Sequence, residues 1–134
     1  MDKSLALTLC CGAGVIYSTV PICLTTTFMQ QYDLAPTDME SKHLRTCERA
    51  MGIGILGMTV TGLLAISKGS EEALDASLGG CAIAFAGWTT NTICHNCCCK
   101  DEKEDQVKTQ YIIDSIVTGT LLLICLSSLA LKKS

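Results

Sequence analysis

Cysteine is the first chemistry this chain offers, with ten in 134 residues. Cys10, Cys11, Cys23, Cys47, Cys81 and Cys125 are scattered, whereas Cys94, Cys97, Cys98 and Cys99 crowd together. Cys94-His95-Asn96-Cys97 is a C-x-x-C enclosing an imidazole, and thiolates and imidazole are good ligands for zinc or an iron–sulfur cluster. One C-x-x-C is only half of a four-ligand site, and no second half stands at a matching spacing. Three consecutive cysteines also turn poorly toward one ion. The order required for covalent haem attachment fails, because the histidine precedes the second cysteine. The reading favoured for Cys97, Cys98 and Cys99 is that of small apolar residues closing a helix; acylation or redox pairing comes next, and metal binding last. No metal and no cofactor are expected. His43 sits among charges and reads as solvated. Asp114 lies about one turn inside an apolar stretch, where a carboxylate either carries protons or, as favoured here, reaches the interface or pairs with Lys108 or a helix end. There is no Ser-His-Asp order, phosphate loop or carboxylate pair within an apolar run, so no enzyme activity is expected.

The elements that would hold these residues are written in the charge distribution. Residues 4–32, 50–67, 76–94 and 115–131 contain no charged side chain at all. Each run is of the order needed to cross a hydrocarbon layer of roughly 30 Å at about 1.5 Å per residue. Composition agrees: 49% of residues are hydrophobic but only 4% are aromatic, and glycine occurs eleven times. A soluble core of this size needs bulky side chains, whereas helices that pack closely in lipid favour small ones. The stretches 121–126 and 79–87 lack the polar stripe of a surface helix in a soluble bundle. The first apolar run is also too long for a cleaved signal peptide. The expected fold is therefore all-α, a single domain of four transmembrane helices over about 5–28, 50–67, 74–94 and 110–131.

Pro21 is expected to bend the first span. Ala35-Pro36-Thr37-Asp38 reads as a turn into a short helix capped by Thr37 or Asp38. Lys68-Gly69-Ser70-Glu71-Glu72 is a tight reversal: glycine ends one helix, and serine with Glu71, Glu72 and Asp75 starts the next. So short a link places the second and third spans side by side and antiparallel. Lys3, Lys68, Lys132 and Lys133 then fall on one side, and Lys42, Arg45, Arg49, Lys100, Lys103 and Lys108 on the other. The excess of basic residues favours the longer loops facing the cytosol or the mitochondrial matrix. The absence of a basic stripe excludes a nucleic-acid partner.

Small residues recur along the second and third spans. Ala50, Gly54, Met58 and Gly62 stand four apart, with Gly57 and Thr61 alongside, and Ala76, Gly80 and Ala84 repeat the pattern beside Gly79 and Gly87. Stripes without side chains let two backbones approach, so a helix–helix interface is expected there.

The segment from Gly54 to Asn91, with its glycine-rich second helix, short charged turn and third helix opening on Leu78-Gly79-Gly80-Cys81-Ala82, resembles the Tim-type family of the mitochondrial inner membrane. That family includes import translocases and a four-helix accessory subunit of respiratory complex I, and the L-G-G-C-A and T-x-N elements look closer to the latter. Trp88 stands where the family often has a basic residue, and neither the long first loop nor the cysteine cluster belongs to the pattern. The resemblance implies termini in the intermembrane space, import without a cleaved presequence, and a structural role. The resulting expectation is a non-catalytic accessory subunit of a respiratory complex, complex I or a supercomplex, with other membrane subunits and lipids as partners. Two alternatives are an import-channel component of the same family and a palmitoylated four-span protein of the secretory pathway.

Overall fold

The computed structural model describes residues 2–24, 42–98 and 105–130, all of it helix apart from caps and one turn. The helices are α1 (Lys3–Cys23), α2 (Lys42–Lys68), α3 (Glu71–Cys98) and α4 (Asp105–Ala130). The expected turn at residues 35–38, the loop basics Lys100 and Lys103, and Lys132 and Lys133 lie outside the described residues.

Local chemistry sets the helix ends. The Asp2 carboxylate accepts the Ser4 N–H at 2.7 Å and starts α1. Pro21 occupies the last turn of α1, where its missing N–H weakens the ladder, and the chain leaves helical geometry at Leu24 (φ −120°, ψ 42°). The first helix therefore ends at Cys23, and residues 25–28 of the expected span lie outside the described residues. Between α2 and α3 the expected reversal forms. Gly69 adopts a φ of 65°, a left-handed conformation costly for any side chain, and its N–H closes on the Ala65 carbonyl at 3.1 Å. The Ser70 hydroxyl accepts the Ala73 N–H at 3.4 Å, and Glu71 and Glu72 fill the first turn of α3.

The other helices overrun the charge-free runs. α2 begins at Lys42, α3 extends from Glu71 to Cys98, and α4 begins at Asp105. Lys, Arg, Glu and Gln are good helix formers, so a charge marks where apolar surface ends and not where the helix does. Among the described residues three helices are long and apolar enough to cross a membrane: Lys3–Cys23, Arg49–Lys68 and Thr109–Ala130. With its 28 residues α3 is long enough, but Trp88-Thr89-Thr90-Asn91-Thr92 dilutes its apolar character.

The helices alternate in direction, with α1 laid along α2 and α3 along α4 as the two extensive pairs. Mostly small side chains fill the centre, Ala6, Cys10, Cys11, Ala65, Cys81 and Cys125, with Leu7 and Leu78 among the large buried ones. Other large ones point outward, with Ile16 66%, Leu123 68% and Ile83 77% exposed. That arrangement inverts a water-soluble protein and suits a lipid surround, where the outer face meets hydrocarbon and tight packing draws helices together.

Candidate functional site

The polar side chains of the bundle gather where α1 ends and α4 begins. Asp114, one turn into the apolar part of α4, is 2% exposed and turns into the bundle. Tyr17 of α1 donates its hydroxyl to the Asp114 carboxylate at 3.4 Å, and Gln110 donates its amide to the same oxygen at 3.2 Å. The Tyr17 ring meets Trp88 of α3 edge-on, with centroids 5.9 Å apart at 63°. The carboxylate thus joins α1 to α4, and the aromatic contact adds α3.

Hydroxyls extend this network along the α3–α4 seam. Thr89 and Thr118 lie 2.8 Å apart through their Oγ1 atoms, and Ser115 donates to Thr92 at 2.8 Å. Thr118 also donates to the Asp114 carbonyl at 2.7 Å, which leaves its oxygen to accept from Thr89. The residues that dilute the hydropathy of α3 are therefore used: Thr89 and Thr92 hydrogen-bond across to α4, and in an apolar medium a hydroxyl needs such a partner.

A cavity of about 70 Å³ opens beside this network among all four helices, lined by Cys10, Cys11, Tyr17, Phe85, Trp88 and Thr118 among others. The Trp88 Nε1 is buried and makes no hydrogen bond among the described residues. Cys10 and Cys81 line the cavity, and behind them the Sγ atoms of Cys10 and Cys125 are 3.4 Å apart, with Cys81 of α3 beside Cys10. Cys11 faces the other way and donates to the Thr59 carbonyl at 3.5 Å. At the opposite end of the bundle, Lys3 bridges Glu71 at 3.0 Å and Asp75 at 2.6 Å, tying the start of α1 to that of α3.

The glycines expected to pack α2 on α3 divide. Only Gly62 is tightly packed, and against α1: a Cβ there would lie 2.6 Å from Cys11 Sγ and 3.3 Å from Leu7 Cδ1. Around Gly54, Gly57, Gly79, Gly80 and Gly87 there is open space. Gly57, Thr61, Ala76 and Gly80 line an open groove of about 440 Å³, so the two stripes face each other without closing. Ala84 is exposed and lines the cavity beside Trp88. The reason lies on α1, whose Gly14 meets Thr59 and whose Ile22 and Ser18 meet Gly52, at 2.7 and 3.0 Å from an added Cβ. Gly14 and Gly52 escaped the sequence reading. Their signal was present in α1, where Cys10, Gly14 and Ser18 repeat every fourth residue and are all buried.

Of the clustered thiols, for which modification is the second reading, Cys97 and Cys98 belong to α3, but their side chains lie outside the description, as does Cys99 entirely. The same holds for the side chains of His43 and Lys108. No protein-family model matches the chain, and no curated protein or solved structure matches it.

Proposed function

We propose that this chain is a non-catalytic, four-span subunit of a larger membrane complex, and that its role is to bridge and stabilise other membrane subunits by helix docking. The observation that carries this reading is the set of glycines with nothing against them. Gly54, Gly57, Gly79, Gly80 and Gly87 remove side chains from surfaces that the described residues do not cover. In a helix surrounded only by lipid, glycine costs stability and returns no contact; against another helix it permits close backbone approach. What supports a crossing by α3 as well is its pairing with α4: Thr89 and Thr92 hydrogen-bond to a helix that is itself apolar enough to span.

The resemblance of residues 54–91 to the Tim-type family makes the mitochondrial inner membrane the proposed location and respiratory complex I, or a supercomplex containing it, the proposed assembly. The termini would lie in the intermembrane space, in keeping with the distribution of basic residues. Digitonin extraction of mitochondria, blue-native electrophoresis and mass spectrometry test this directly. Comigration with complex I or its supercomplexes is expected. Migration in a small translocase assembly would replace the reading with an import role. Absence from mitochondria, with acyl groups released by hydroxylamine, would replace it with the palmitoylated secretory-pathway protein. In the same experiment Gly80→Leu is expected to lose comigration while the isolated chain stays folded, because Gly80 has open space around it.

A further inference from the structure

The cysteines that converge in space are not the ones that cluster in the chain. Cys10 and Cys125 are 115 residues apart, are 3% and 0% exposed, and bring their sulfurs to 3.4 Å across the α1–α4 contact. That separation is too short for two thiolates on one tetrahedral metal ion, whose sulfurs stand about 3.8 Å apart when each bond is about 2.3 Å. It is ordinary contact for two thiols, and an approach of about 1.4 Å would bring them to the length of a disulfide. Cys11, next in sequence, turns its thiol to the Thr59 carbonyl on α2, whereas Cys81 of α3 lies beside Cys10 and is the competing partner.

We propose that Cys10 and Cys125 are an oxidisable dithiol that closes to a disulfide between α1 and α4, with hydrogen peroxide as the class of oxidant. The cavity supplies the route. It measures about 70 Å³ and is lined by Cys10 but not by Cys125. A buried site needs about 10–15 Å³ of such volume to hold one water molecule, so the space is large enough for a peroxide, with the Tyr17 and Thr118 side chains among its polar lining. The Cys10 sulfur attacks one peroxide oxygen, the O–O bond breaks, and the thiol proton leaves with the departing oxygen as water. Cys10 is then a sulfenic acid. The Cys125 sulfur attacks it, the S–O bond breaks as the S–S bond forms, and the Cys125 proton leaves in a second water. Two thiols lose two electrons in all, and one peroxide becomes two waters. The product links the first helix to the last, closing the two helix pairs into a covalent ring of elements that a reductant reopens.

The test uses the full chain reconstituted in phospholipid nanodiscs, treated with hydrogen peroxide, blocked with N-ethylmaleimide, digested and read by mass spectrometry. A linked pair of peptides carrying Cys10 and Cys125 is expected, lighter by the two thiol hydrogens and separated by dithiothreitol. It should persist in Cys11→Ala, Cys23→Ala and Cys81→Ala and disappear in Cys10→Ala and Cys125→Ala; a Cys10–Cys81 link in its place overturns the proposal. The proposal is overturned if the wild-type chain, unfolded after treatment, still alkylates fully at Cys10 and Cys125 while the exposed Cys23 and Cys94 are oxidised. It is equally overturned if Cys10 proceeds to sulfinic acid with no link to Cys125. Because the decisive reading is on the unmutated chain, a variant that folds poorly does not protect the idea.

Discussion

Placing alanine at Gly52 and, separately, at Gly54 isolates the packing of α1 against α2 from helix propensity. Both positions lie in the same helix, two residues apart, and each exchange gains the same propensity, about 1 kcal/mol in favour of alanine. That term cancels between the two variants. At Gly54 the new methyl meets nothing within 4 Å. At Gly52 it lies 2.7 Å from Ile22 Cγ1 and 3.0 Å from the Ser18 carbonyl oxygen. Ile22 can turn away at about 0.5–1.5 kcal/mol, but the carbonyl belongs to the α1 backbone and retreats only if the helix does. Overpacking of this kind costs about 1–3 kcal/mol. Gly52→Ala should therefore be less stable than Gly54→Ala by that amount, a roughly fivefold to 150-fold difference in the unfolding equilibrium. Titration of the purified chain from mild micelles into dodecyl sulfate measures it, followed by the fluorescence of Trp88, the single tryptophan, with circular dichroism in parallel. Equal midpoints, or a more stable Gly52→Ala, would show that α1 does not press on α2 at this level and would refute the reasoning.

The same titration reads two further positions. Asp114→Ala should lose about 1–3 kcal/mol, because the Tyr17 hydroxyl and Gln110 amide would be left without their acceptor in a buried site, while Asp114→Asn, which keeps an oxygen there, should lose less; identical losses from the two would count against an acceptor role. Trp88→Phe, followed by circular dichroism, should change stability by about 1 kcal/mol or less, since the lost ring volume is offset by removal of a buried N–H that has no bond among the described residues. A loss of about 3 kcal/mol or more would reveal that the indole N–H holds something.

The residues themselves explain what was legible in the sequence. The four helices, the Gly69 reversal and the acidic start of α3 could be read because each rests on a short-range cause: a run of apolar side chains, a backbone angle open to glycine, a serine oxygen within reach of the next turn. The extent of the helices was less legible, because Lys42, Glu71 and Asp105 continue a helix as readily as they flank one. Which face of each helix turns inward was decided only by the tertiary structure. A helix that is apolar all round carries no polar stripe to orient it, so the glycines of α2 could point to α3 or to α1 on equal terms. Packing chose Gly52 and Gly62 for α1 and left Gly54 and Gly57 open. The same rotation brought Asp114 to Tyr17 and Cys10 to Cys125, pairs 97 and 115 residues apart whose meeting depends on helix register across the bundle. Membrane character is a property of composition and could be read residue by residue; the site exists only once four helices have settled against one another.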